Sequence, residues 1–251
     1  MVDPQNPSFS SKNGLLLSKD ETEIIHGVSR NVVIPDTVRK IGSSAFSLMT
    51  GISKTIIPDS VEIIDLRAFA GSDIEEINFG SGIQEIRLEA FNGCGKLDSV
   101  ILPVVSYGSN VFQGSGLTSA FLEDGTTSIG SGLFSGCRKL RNVLVPEGVT
   151  SIQQYAFSNC QELGQIVLPA TLNDIGLTAF GNCSSLSSVY FKGPPPTVFQ
   201  NNQYPSRNSF YGIAEGAVAY VSSEEEGWPE DGTEWNSMTI RRISPSEFPV
   251  V

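Results

Sequence analysis

The sequence predicts a β-solenoid, a stack of short coils with parallel strands and little helix, and three observations carry that prediction. Phe46, Phe69, Phe91, Phe112, Phe134, Phe157 and Phe180 follow one another at intervals of 21–23 residues. Each is preceded by a smaller residue: Ala45, Ala68, Ala90, Val111, Leu133, Ala156 and Ala179. A small residue beside a large one lets stacked layers fill a narrow core without voids. The fullest unit, within Glu147 to Pro169, reads Ile152-x-x-x-Ala156-Phe157-x-Asn159-Cys160-x-x-Leu163-x-x-Ile166-x-Leu168-Pro169, and variants of it recur before and after.

A fixed period in the low twenties is the mark of a leucine-rich repeat array. The fold class is therefore a leucine-rich repeat solenoid, mainly β, with a parallel inner sheet, short extended outer segments, an N-terminal β-hairpin and a C-terminal cap. At 251 residues the chain could form one or two globular domains. In an array each unit contacts only its neighbours, so one elongated domain is expected. Its divisions are residues 1–28, an N-terminal remnant and hairpin; 29–193, the array of seven units; and 194–251, a capping unit with an acidic tail.

Taken in order, residues 9–26 hold two apolar runs around Ser18-Lys19-Asp20-Glu21-Thr22, the pattern of a hairpin that would cover the first edge of the stack. From Ser29 each repeat offers two extended pieces. The first, as in Leu140-Arg-Asn-Val143-Leu-Val145-Pro146, matches the inner strand of leucine-rich repeats, with apolar first, fourth and sixth places facing the core. The proline lacks an N–H and helps end the ladder. The second piece, Val149-Thr-Ser-Ile152, repeats as Val38 to Ile41, Val61 to Ile64, Ile83 to Ile86 and Leu172 to Ile175. These runs are too short for helix, which needs roughly ten residues of 3.6-residue periodicity.

Irregularities can be located. The turn after Phe reads Cys-x-x-Leu at Cys94, Cys137, Cys160 and Cys183, but one residue shorter at Ser72 to Ile74 and Ser115 to Leu117. Tyr107 stands where other units carry Ile, in a unit lacking two residues between Pro103 and Phe112, so a local distortion is expected there. Pro194, Pro195 and Pro196 are expected to stop the repeat pattern. Beyond them Trp228, Trp235 and Met238-Thr-Ile240 would cover the last edge, as a solenoid needs.

The pattern from Ile152 to Pro169 resembles the BspA-type leucine-rich repeat family, mostly surface proteins of oral and gut bacteria and some protists, and the resemblance covers nearly the whole chain. Asn6-Pro-Ser-Phe9, Asn13-Gly-Leu-Leu and Ser18-Lys19-Asp20 look like the hairpin insertion that members carry in mid-array, so Met1 is expected to mark a trimmed start. Val189-Tyr-Phe-Lys-Gly-Pro-Pro-Pro196 through Trp228 looks like the family's closing unit. The resemblance implies an extracellular or cell-surface location. No apolar run reaches the roughly 18 residues of a membrane span, and the N-terminus lacks the regions of a signal peptide.

The formal charge of -11 argues against a nucleic-acid partner, whose phosphates require Lys and Arg. Glu224 to Glu226 with Glu230, Asp231 and Glu234 reads as a solvated run, and its spacing matches no calcium loop. His26 has no Cys or acidic partner at the spacing of a zinc site or catalytic triad. No phosphate-binding motif occurs. The sequence thus offers no catalytic residue, cofactor site or metal site. The cysteines share one repeated position and read as a ladder of buried thiols bonded to turn carbonyls, with Ser72 and Ser115 in the same place. Disulfides Cys137–Cys160 or Cys160–Cys183 stay open, requiring Cα separations inside roughly 7 Å.

One column stands out. The fifth place of each inner strand points away from the core and holds Val33, Ile56, Asn78, Ile101, Phe121, Leu144, Val167 and Tyr190, where the family most often has Thr. A long exposed apolar patch marks a contact surface, although β-branched and aromatic residues also simply favour strands. The candidate binding residues, on the concave face, are therefore Val33, Ile56, Ile101, Phe121, Leu144, Val167 and Tyr190, flanked by Arg30, Lys54, Glu75, Glu76, Asp98 and Arg141. The expected function is a non-enzymatic protein-recognition domain, an adhesin contacting host or neighbouring-cell proteins. The alternative is a passive scaffold or spacer in a larger surface protein.

Overall fold

A computed structural model describes residues 1–28 and 32–249. The chain forms two compact units, Met1–Leu117 and Thr118–Val251. Both are β-solenoids, and the only helical turns among the described residues are the short 3-10 segments Pro205–Arg207 and Pro245–Glu247.

The first unit opens on three antiparallel strands, Phe9–Lys12, Leu15–Ser18 and Glu23–Gly27. The expected hairpin turns at residues 18–22. A further one turns at Asn13-Gly14, where φ is 51° and 73°. Both values lie in the left-handed region that Asn and Gly tolerate, which suits a two-residue hairpin loop. Glu23–Gly27 then pairs in parallel with Lys40–Ile41, starting the outer ladder of Ile63–Ile64, Glu85–Ile86 and Ser106–Tyr107. Tyr107 keeps the Ile register, opposite Ile86. It is only half-buried and its hydroxyl donates to the Pro103 carbonyl at 2.6 Å.

The core is a file of phenylalanines. In the first unit Phe46, Phe69, Phe91 and Phe112 stack with centroids 4.9, 5.1 and 5.3 Å apart. In the second, Phe134, Phe157, Phe180 and Phe210 stack at 5.5, 5.2 and 5.1 Å. The spacing reflects the 4.7–4.9 Å separation of hydrogen-bonded strands, which sets the rise of each coil. Phe210 adds a turn to the seven read from the sequence. Its coil continues past the three prolines: Thr197–Val198 pairs with Asp174–Ile175, and Val218–Ser222 with Ser188–Phe191. Ser209 takes the place of the small Ala, fully buried, with its hydroxyl donating to the Gly176 carbonyl at 2.6 Å.

The segment carrying Ala and Phe uses an unusual backbone. The residue before the small one is left-handed in turn after turn, at Ser44, Arg67, Glu89, Asn110, Gly132, Tyr155 and Thr178. So is the second residue after Phe, at Leu48, Gly71, Gly93, Gly114, Gly136, Asn159, Asn182 and Gly212. Every second N–H of this segment reaches a carbonyl of the next coil, Arg67 N to Leu88 O, Phe69 N to Ala90 O and Gly71 N to Asn92 O, while those between them, Ala68 N to Asp65 O and Ala70 N to Arg67 O, close turns within their own coil. The Gly or Asn before each Cys is thus a conformational requirement, because other L-residues strain in this region.

The strand ladders complete each coil. Lys54–Ile56 pairs in parallel with Glu76–Asn78 in the first unit. In the second, Ser119–Leu122 pairs with Asn142–Leu144. A separate sheet runs through Gln165–Leu168, Ser188–Phe191, Val218–Ser222 and Met238–Ile243, with Glu234–Trp235 antiparallel at its edge. Trp228 and Trp235 pack on Phe191 at 5.0 and 5.4 Å, and Trp228 donates its indole N–H to the Gly193 carbonyl.

Candidate functional site

The outward fifth places differ between the units. In the first, Val33, Ile56 and Ile101 are 66, 63 and 62% exposed, with Asn78 also exposed. Their flanks are polar and largely self-compensating: Lys54 Nζ meets Glu76 Oε1 at 2.8 Å. Glu75 and Asp98 are exposed, while Arg30 lies outside the described residues.

In the second unit Phe121 is 40% exposed, Leu144 and Tyr190 are half-buried, and Val167 is 8% exposed. Val167 therefore departs from the expected open column. Strand alternation points it outward, opposite Tyr190 in the parallel register, but the C-terminal segment returns over this face. Its 3-10 turn Pro245–Glu247 is closed by a capping box, with the Ser244 N–H donating to Glu247 Oε2 at 2.7 Å. That bond holds the exposed Glu247 carboxyl below the usual range. The turn delivers the Phe248 ring edge-on to Tyr190 at 6.2 Å, while Tyr190 stacks on Tyr220 at 4.6 Å.

Beyond Phe248 lies a cleft of about 270 Å³ whose lining includes Phe121, Leu144, Val167, Asn142, Gln165 and Pro249. It sits over the seam between Asn142–Leu144 and Gln165–Leu168, which belong to separate sheets. Arg141, also at its edge, is engaged: its Nε donates to Glu162 Oε2 at 2.7 Å. Sequence reasoning missed Tyr220, Phe248 and Pro249 as parts of this surface. Tyr220 was readable, since Val218-Ala-Tyr-Val221 repeats the alternation of Ser188-Val-Tyr-Phe191. The returning tail leaves no periodic signal.

The thiol ladder offers no reactive group. Cys94, Cys137, Cys160 and Cys183 form no disulfide and are fully buried. Cys94, Cys160 and Cys183 donate to the carbonyls of Phe69, Phe134 and Phe157 at 3.1, 3.3 and 3.0 Å. Burial pushes the Cys94 thiol up to about 11 and Cys160 well above its ordinary value, the opposite of what a nucleophile needs. Ser72 takes the same buried place, 3.7 Å from Cys94 Sγ, and Ser115 is likewise buried. Among the described residues no three His, Cys, Asp or Glu side chains are grouped to hold a metal ion. No helix among them is long and apolar enough to cross a membrane.

A family model described as the BspA type leucine rich repeat region matches residues 28–120 and 105–212, in 6 copies. Among solved structures, a leucine-rich repeat protein from Eubacterium ventriosum is similar with a TM-score of 0.61 at 22% identity, over 85% of this chain and 52% of that one. A leucine rich cell surface protein from Faecalibacterium prausnitzii gives 0.63 at 23% identity, over 88% and 71%. These likenesses show the fold, and the present chain spans about half the length of the Eubacterium protein. No curated protein sequence matches significantly.

Proposed function

Because the chain belongs to the BspA-type leucine-rich repeat family, we propose that it is an extracellular or cell-surface recognition domain that binds a protein partner without catalysis. The observation that carries this reading is the open apolar row of the first unit, Val33, Ile56 and Ile101, each more than 60% exposed. Ile56 and Ile101 are held on strands, and apolar side chains presented from a preformed surface lose little ordering entropy on association. Polar flanks such as the Lys54–Glu76 pair supply the rim that specific interfaces have around an apolar centre. An adhesin contacting host or neighbouring-cell proteins is the finer form of this reading. The surface location rests on the family and on the Faecalibacterium neighbour, described as a cell surface protein.

The test is retention of surface proteins from host and bacterial cells by the wild-type chain and by a variant carrying Ile56→Ser and Ile101→Ser. Those side chains lie outside the core, so the fold should survive, which thermal unfolding checks. A partner held by wild type and released by the variant supports the reading; a partner held equally by both removes it.

A second reading, a passive scaffold or spacer, is favoured by the second unit alone, where the tail already covers part of the equivalent face. A chain that retains no partner in any extract while remaining folded would favour it.

A further inference from the structure

We propose that the strand face of the second unit is a groove for an extended aromatic–proline peptide segment, and that Phe248-Pro249 is a copy of such a segment held in cis. The proposal rests on reading the strand face as a recognition surface and names what this part of it takes. Three features converge on it. The floor is apolar, from Leu144 and Val167, with Phe121 at the end away from Tyr190. The sides carry the Asn142 and Gln165 amides, which both donate and accept as an extended peptide backbone requires. The cation at the edge, Arg141, is already paired with Glu162, so the groove has little to select for charge.

The tail that occupies the groove has matching chemistry. Phe248 lies edge-on against Tyr190, and Tyr220 stacked behind makes an aromatic wall. Pro249 comes next, in the cleft. Proline is pre-set for extended backbone, so a segment of this kind loses little freedom on docking. The approximately 270 Å³ still open between Pro249 and Phe121 leaves room for a further small apolar side chain. Recognition of proline-bearing extended segments by aromatic-lined grooves is a known physical mode. A tethered occupant competes at millimolar effective concentration, so the intact chain should take an external peptide poorly until its tail is displaced.

The probe is a fluorescein-labelled octapeptide with the sequence of residues 244–251, Ser-Pro-Ser-Glu-Phe-Pro-Val-Val, titrated against the full chain and a full-length variant with Phe248→Ser and Pro249→Gly. Both residues lie outside the phenylalanine file, so the variant should unfold at nearly the wild-type temperature. The single change Phe248→Ala serves should the pair fail to fold. The expected result is at least about tenfold tighter binding to the variant than to wild type. Binding should be lost when the peptide's Phe is Ala or when Leu144→Ser is added to the variant. Equal binding to wild type and variant, or none to the variant at about millimolar protein, overturns the proposal. Self-association of the variant that the peptide cannot reverse would assign the groove to a second copy and equally overturn it. Partner capture that depends on Ile56 and Ile101 would persist in either case if the broader reading is right, so the two failures are distinguishable.

Discussion

In the first unit Ile56 and Ile101 stand 63 and 62% exposed at the fifth place of their strands, whereas Val167, at the same place in the second, is 8% exposed. Local pattern gives all three the same direction. What separates them is the returning segment Ser244 to Pro249, far along the chain, which lays Phe248 and Pro249 over one face only. Exposure of a repeat position is therefore set by the tail downstream of the array as much as by the repeat itself.

The units also link their coils differently. The first uses charge on the outer ladder: Lys40 Nζ lies 3.1 Å from Glu23 and 2.8 Å from Asp65, and Arg87 bonds both Asp65 and Glu85. In the second the corresponding strands carry Ser151 bonded to Asp174 at 2.6 Å, and beside them Gln153 is bonded to Ser128 at 3.3 Å.

The largest effect should fall where the units agree. Phe69→Ala and Phe157→Ala each remove a ring stacked on both sides, and each should cost about 3–5 kcal/mol, read as a shift in urea unfolding. A loss confined to one unit would break the likeness of their cores.

The next effect should separate them. Burial would push the Asp65 carboxyl up, but bonds from Lys40, the Leu66 N–H and Arg87 outweigh it and hold it at about 2. Its side chain is 13% exposed, so solvent screening is modest. A depressed acid adds stability above its unfolded value of 3.8, and that stability is lost as the pH falls through about 2. Asp65→Asn should cost roughly 2 kcal/mol at pH 7 and remove that part of the acid transition. An unchanged acid profile would contradict the charge ladder.

A smaller effect tests the left-handed turn position. Leu48, with φ 57° and 76% exposed, sits where later coils have Gly or Asn. Leu48→Gly should raise stability by about 1 kcal/mol, and Gly93→Ala at φ 69° should lower it by a similar amount. Thermal unfolding of the two variants checks the opposite signs. Smallest of all, the thiols should stay unmodified by Ellman's reagent in the native chain at pH 8 and react only on unfolding, since burial raises Cys94 and Cys160. A fast-reacting thiol would mean that the ladder opens.

Much of this fold was legible because a solenoid places residues one period apart in contact. The phenylalanine file, the buried Ala45 and Ala156, and the Cys and Ser72 positions all come from spacing. Phe210 escaped because Pro194 to Asn208 lengthens its coil and hides the interval. The Asn13-Gly14 turn is a plain hairpin signal, overshadowed by the longer polar run at 18–22. The outward direction of Val167 and Tyr190 was readable, but their cover was not: it depends on a contact between strand and tail that no periodicity encodes.

The most direct test is hydroxyl-radical footprinting of the intact chain, comparing Ile56 and Ile101 with Val167 before and after the Phe248→Ser, Pro249→Gly substitutions. The account predicts strong labelling of both isoleucines throughout, and protection of Val167 that is lost in the variant. Labelling of Val167 in the wild-type chain at the level of Ile56 would contradict it.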